Sequence, residues 1–186
     1  MKYKVTTSPT WWPVTLAEAK EHLRVSHDSE DSVIWNLVKA ATEMVERETW
    51  TQINSKGMTF YFDGWESFRG SGFLPVQSVE SVKYYDVNND LQTLSPGDYQ
   101  VDLNSDPVKI DFDSTPSLFD RFNSVEVALV VGYAESCNIP YGLISCIKMV
   151  LGDLYENRQN ESPVNSFKIH NATSSLLMLY SRKEFV

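Results

Sequence analysis

The sequence predicts an α+β protein: an antiparallel helical body of two N-terminal helices plus one C-terminal helix, a large inserted antiparallel β region, and an extended C-terminal tail. Three observations predict it. Apolar residues recur at helical spacing from Leu16 to Val45 and again from Leu143 to Leu154. Between them, from Gln52 to Tyr133, the spacing shortens to alternation. After Asn160 neither period persists. The expected divisions are therefore 1–50 for the N-terminal helices, 51–136 for the β insert, 137–159 for the C-terminal helix and 160–186 for the tail. With 186 residues, 42% of them apolar, the chain is long enough to bury a core without disulfide or metal staples. Nine Phe, nine Tyr and five Trp argue against an intrinsically disordered chain.

Each element has a local cause. Thr15 followed by Glu18 is a capping box, and Leu16, Ala19 and Leu23 carry a short helix to about Val25. The polar run 26–31 breaks it and places three acids at the start of a second helix, where the macrodipole favours them. Val33, Ile34, Leu37, Val38, Ala41, Met44 and Val45 form its apolar stripe, opposite Lys39, Glu43, Glu46 and Arg47. From Ser29 to Trp50 this helix would be about 33 Å long at 1.5 Å per residue.

In the β region, Met58, Phe60 and Phe62 alternate with Thr59 and Tyr61, and Val79, Val82 and Tyr84 follow a loop at 63–73. The run 86–90, Asp-Val-Asn-Asn-Asp, is hairpin-turn chemistry, because Asn and Asp tolerate positive φ. Tyr99, Val101 and Leu103 predict a strand paired with Val108, Ile110 and Phe112, and 125–133 predicts the last strand. Pro140 suits a first helical turn, and Leu143, Ile144, Ile147, Val150, Leu151 and Leu154 carry that helix to about Arg158. Two helical stripes separated by the insert must cover each other. The tail is loop-like over 162–175 and ends in an apolar segment with Leu176, Leu177, Met178, Leu179, Tyr180 and Phe185. The chain has no internal repeat.

Charge narrows the functional classes. The formal net charge is -9, with a pI near 4.8, so the counterion release that drives general phosphate binding is not available over the whole surface. The imbalance is regional. Residues 86–135 hold ten acids against Lys109 and Arg121, a net of -8, while the rest has 14 bases and 15 acids. Lys2 and Lys4 precede no apolar run, so no signal peptide is expected. The longest apolar stretch, 127–131, falls far short of the roughly 20 residues of a membrane span, and a soluble chain without membrane contact is expected. Cys137 and Cys146 lack metal-ligand or CxxC spacing and read as reduced thiols.

Catalytic signatures are missing from the sequence. His22, His27 and His170 are scattered, with a solvated or capping role expected for the first two. Asp86, Asn88 and Asp90 open like a calcium loop, but Leu91 stands where a sharp turn needs Gly and Gly97 where a bidentate Glu belongs. The glycines at 64, 70 and 72 have no phosphate-loop spacing. Asp111 and Asp113 share a strand face and read as hydrated surface; a hydrolase using them with His170 is the remote enzymatic reading. No enzyme activity, cofactor or metal is expected. Trp65, Phe68 and Phe73 could instead make a stacking platform, and a β-sheet carbohydrate- or peptide-binding module is the alternative from another class. Trp11 and Trp12 ahead of the first helix suit a hydrophobic staple for one ring and an interface for the other.

The order of several segments resembles a known family. The run 13–25, Pro-Val-Thr-Leu-Ala-Glu-Ala-Lys-Glu-His-Leu-Arg-Val, then an acidic break and 34–50 with Ala40-Ala41 and Val45-Glu46-Arg47, resembles tailed-phage head-tail connector (adaptor, head-completion) proteins. The resemblance continues through 74–86, 94–101, the strand 125–133 and the Ile139-Pro140 helix, so it spans about 13–158. It departs at Ser26-His27 and after Asn160. It implies a non-enzymatic virion protein of the neck, assembled in the host cytoplasm as a homo-oligomeric ring, a dodecamer by resemblance. Such a ring lies under the portal protein, extends the DNA channel, and meets a stopper or tail-completion protein. DNA would pass without sequence-specific binding, because an acidic lining repels the backbone. On this reading Leu176, Leu177, Tyr180, Arg182 and Phe185 of the tail are portal-interface candidates, and Trp11, Trp12 and Trp35 are subunit-interface candidates.

Overall fold

The computed structural model describes residues 2–69, 75–105, 108–157 and 171–181. Its elements, in chain order, are β1 (Lys2–Thr7), α1 (Leu16–Leu23), α2 (Asp31–Thr49), β2 (Lys56–Phe62), β3 (Phe68–Arg69), β4 (Val76–Tyr85), β5 (Leu91–Thr93), β6 (Tyr99–Asp102), β7 (Lys109–Phe112), β8 (Val125–Val131), α3 (Tyr141–Glu156) and α4 (Asn171–Tyr180). The architecture is mixed, with four helices and antiparallel sheets among the described residues. The chain forms two compact units, one of 1–11 with 54–134 and one of 12–53 with 135–186.

The β unit is built from side-chain alternation. A five-stranded sheet runs in the order β1-β2-β8-β4-β5, every neighbouring pair antiparallel. In β8, Val125, Val127, Leu129 and Val131 are buried, while Glu126, Ala128 and Val130 face the other side. Their partners in β2, Phe62, Phe60 and Met58, bury the same face, so a one-residue slip would expose the whole set. A second sheet, β3-β7-β6, joins this core through Phe68 and Ile110. The Phe68 ring stands edge-on to Phe60 at 5.1 Å and to Phe62 at 6.1 Å. Gly132, at φ +93°, ends β8; a Cβ there would strike the Asn54 backbone, which forms a parallel bridge with Tyr133.

The helical unit follows the 3.6-residue period. The capping box is formed, with the Glu18 amide donating to Thr15 Oγ1 and the Thr15 amide to the Glu18 carboxylate. Arg24 then takes a left-handed conformation and closes α1, its amide donating to Glu21 O. In α2, Ile34, Val38, Ala41, Thr42, Val45 and Thr49 are buried, and both threonine hydroxyls donate to carbonyls four residues earlier, Thr42 to Val38 at 2.8 Å and Thr49 to Val45 at 2.7 Å. The helix packs against α1 and α3. Leu143, Cys146, Ile147, Val150 and Leu151 are the buried stripe of α3.

Three expectations need correction. Residues 171–180 form a helix, not an extended tail, and α4 packs on α3 and α2. Thr173 and Leu177 are one turn apart and both buried, a two-residue signal too short to read against the surrounding polar sequence. Residues 2–7, expected within the division 1–50 of N-terminal helices, are an edge strand of the sheet; among the described residues β1 pairs with β2, 50 or more positions away, so nothing local announces it. Finally, Phe68 and Arg69, expected in a loop, pair with β7.

Candidate interaction surfaces

Trp12 and Trp35 come together in the helical unit. Their rings meet edge to face at 6.3 Å, and Lys39, one turn after Trp35 on α2, holds its ammonium 5.9 Å from the first ring and 5.7 Å from the second. All three side chains are half-buried, a partly exposed aromatic surface already filled by a cation of its own chain. Trp11 belongs to the β unit, where its carbonyl accepts a hydrogen bond from the Asn54 side chain. The connection between α1 and α2 is clamped by Lys20, which bridges Asp28 and, at 2.8 Å, Asp31. These carboxylates push the Lys20 ammonium above its ordinary range, and the same pair holds Asp28 low.

Of the tail candidates, Leu177 is buried and Leu176 half-buried, and the Tyr180 ring lies over Gly142 so closely that a Cβ there would collide with it. Leu177 and Tyr180 therefore pack α4 onto its own unit. Arg182 and Phe185 lie outside the described residues. The outward residues of α4 are Met178 and Leu179, 76% and 77% exposed, and Tyr141 at the start of α3 is 87% exposed. Sequence reasoning placed Met178 and Leu179 in the apolar segment without separating them from Leu177, because phase around a short helix is set by what it packs on.

The acids of the β unit do mostly local work. Asp86 accepts the amides of Asn88 and Asp90 and the Gln92 amide group, closing the β4–β5 turn with Asn89 at φ +64°. These donors hold its carboxyl below the ordinary range, the Asp90 amide first. The incomplete calcium pattern is thus a hairpin turn. Asp102 caps the next turn through the amides of Asn104 and Ser105, and Asp63 accepts the Asn123 amide at 2.7 Å and the Lys2 ammonium at 3.5 Å. Asp111 pairs with Arg69 at 3.0 Å and Asp113 accepts the Gln100 amide group, so each exposed carboxylate has a local partner of its own.

The stacking platform is not assembled. Phe68 is fully buried, and Trp65 packs on Tyr84 and Phe112 with its indole N–H donating to Pro116 O at 2.8 Å; Phe73 lies outside the described residues, as does His170. Of the other histidines, His27 hydrogen-bonds Ser29, and His22 approaches Gly152 of α3. Cys146 is buried in the helical unit and Cys137 exposed, both free. Among the described residues no group of three or more His, Cys, Asp or Glu side chains could hold a metal ion, and no helix is long and apolar enough to cross a membrane. Large exposed apolar residues also occur in the β unit, at Phe119, Phe122, Val87 and Leu91. The two phenylalanines stand in a polar loop without any periodic partner, which is the sequence signal that could have marked them.

The class defined by this fold is an α+β protein whose distinctive surfaces are apolar contact residues on helices and turns. Residues 13–92 match the family of Phage gp6-like head-tail connector proteins. In fold the chain is similar to one from the neck of an empty GTA particle computed with C6 symmetry, at a TM-score of 0.82 and 16% identity, covering 100% of this chain and 98% of that one. A chain of the virion of the native gene transfer agent (GTA) particle agrees equally, with the same TM-score, identity and coverage. One from the neck of the native GTA particle computed with C12 symmetry gives a TM-score of 0.76 at 15% identity, with the same coverage. No curated protein matches the sequence. The match over 13–92 falls on the first half of the segment that carries the sequence resemblance, and the agreement in fold extends over the whole chain.

Proposed function

We propose that this chain is a structural protein of a particle neck, forming a ring beneath the portal that extends the DNA channel and joins the capsid to the stopper or tail. The observation that carries this reading is the end-to-end agreement in fold with chains of GTA particle necks, covering 100% of this chain and 98% of theirs. The family match over 13–92 supports it independently of the fold. A ring is the closed form that repeated head-to-tail contacts produce, and the neck structures computed with C6 and C12 symmetry suit it. In this arrangement Met178 and Leu179 of α4 meet the portal together with the segment that follows. Trp12, Trp35 and Lys39 contribute to contacts between subunits. Acidic side chains of the β unit outside its contacts with neighbouring proteins stay hydrated, and DNA slides past them without being gripped.

Mixing the purified chain with portal rings and imaging by negative stain tests the reading. Stacked rings are expected, whereas a chain that stays monomeric and unbound beside intact portal rings overturns it. Deleting everything after Asn160 would strip α4 from α2 and α3. The sharper variant is therefore Met178→Asp with Leu179→Asp, which alters only exposed side chains. It should keep the wild-type melting temperature and weaken portal binding at least tenfold.

A further inference from the structure

One end of the five-stranded sheet, where β1 begins, β2 and β4 finish and β8 starts, is crossed by the loop 113–124. That loop is tied down at alternate residues. The Phe119 amide donates to Tyr85 O at 3.1 Å. Arg121 donates to Asn89 Oδ1 at 2.9 Å and lies 3.8 Å over the Tyr85 ring. The Asn123 amide donates to Asp63 at 2.7 Å, with Asn123 held at φ +57°. Apolar side chains of this segment nevertheless stand in solvent: Phe122, between two ties, is 79% exposed, the Phe119 ring is exposed although its amide is tied, and Val87 and Leu91 of the neighbouring hairpin are exposed as well.

We propose that this end of the β unit is a docking surface for the next protein along the neck, through a contact that is apolar at its centre and carries lysine or arginine at its rim. The proposal rests on the neck reading above and adds the residues that make the distal joint. A freely moving loop would fold two phenylalanine rings onto the nearby sheet. Here three backbone and side-chain ties hold them in water, so the ordering that binding requires is already done. Apolar rings displayed in this way act as interface anchors.

The charges select the occupant. Two of the three cations of this end are committed internally, Lys2 to Asp63 and the Phe122 ring, Arg121 to Asn89 and Tyr85; the third, Lys83, stands opposite Glu126 on the cross-strand row that begins at Lys2. The exposed carboxylates of Asp90 and Asp120 have no partner among the described residues. Nucleic acid is repelled by such a rim, and a second copy presenting the same end would set like charges against each other. A partner bearing basic side chains around an apolar centre is complementary.

The test replaces the natural chain in a particle-producing host with Phe119→Ser/Phe122→Ser, or with Asp90→Lys/Asp120→Lys, and determines the composition of purified particles by mass spectrometry and imaging. The expected result is heads carrying this chain at the wild-type amount, with the next neck component reduced at least tenfold. Wild-type levels of that component overturn the proposal. So does loss of either variant from the heads while its purified form melts as wild type does, since the tip would then contact the portal or a sister subunit. If the wild-type chain itself is absent from particles, the neck reading fails, an outcome distinct from failure of the tip alone.

Discussion

The β unit and the helical unit bury comparable sets of apolar side chains by different routes. In the helical unit the buried positions follow from neighbours in sequence: Ile34, Val38, Ala41 and Val45 recur at turn spacing whatever they pack against. In the β unit, Phe60 is buried because it pairs with Val127, 67 positions later, and meets Phe68 from another sheet. Charge follows a different line: the net of -8 is confined to 86–135, while the β unit as a whole has 7 bases and 12 acids and the helical unit 9 bases and 13 acids, nets of -5 and -4. Both units display apolar contact residues, on helical faces in one and on a tied loop in the other. The difference teaches that a helix exposes such residues through its phase, whereas a sheet must spend hydrogen bonds at its end to hold them outward.

The strongest way to break the comparison is Phe60→Ala. Removing a fully buried ring should cost about 3–5 kcal/mol, read by denaturant unfolding. Hydrogen exchange should accelerate in β2, β4 and β8 while α2 and α3 keep their protection. Equal acceleration in both units would mean that they unfold as one and that the division is geometric only.

A smaller effect, about 1–3 kcal/mol, is expected of Gly142→Ala, which puts a methyl group into the Tyr180 ring. Amides of α4 should lose protection well before those of α3. Unchanged protection would show that α4 does not depend on this contact.

The smallest effects should appear with pH. Asp63, Asp86, Asp102 and Asp111 in the β unit are all held below the ordinary range, the first three chiefly by backbone amides and Asp111 by the Ser67 hydroxyl and Arg69. A carboxyl depressed by folding stabilises the fold above its unfolded value and loses that contribution as pH falls through its folded value, so the window lies below about pH 4. Glu18, through the Thr15 amide, and Asp28, through Lys20, put the helical unit in the same window at fewer points. Lys20 runs the other way: its raised value stabilises at lower pH and is lost as pH rises through it, above about 10.4. Amide NMR should therefore show acid perturbing the turns at 86–92 and 102–105 together with the α1–α2 connection, and alkali perturbing the α1–α2 connection without those turns. Turns at 86–92 and 102–105 that are unmoved by acid, or that shift with alkali as that connection does, would contradict this.

Much of the helical unit was legible in advance, because capping boxes, turn-spaced stripes and Pro140 act over a few residues. The β6–β7 pair and the 86–90 hairpin were legible for the same reason, each joining adjacent strands through a short connection. β1 was not, since its partner is remote, and neither was α4, whose buried positions are too few to stand out. The candidate contact residues were legible as residue types only: Trp12 and Trp35 met as an aromatic pair, whereas Leu177 and Tyr180 turned inward.

Residue order by itself thus determined the α+β class, the regional acidity, the turn chemistry and the family resemblance, all properties of composition or of neighbours a few positions apart. Which aromatic rings lie inside, which side of α4 faces out, and why Phe119 and Phe122 stand in water were decided only by tertiary structure. Exposure is a property of what packs against a residue, and here the neighbours that settle it, Tyr85, Asp63 and Gly142, lie some 35 to 60 positions away along the chain.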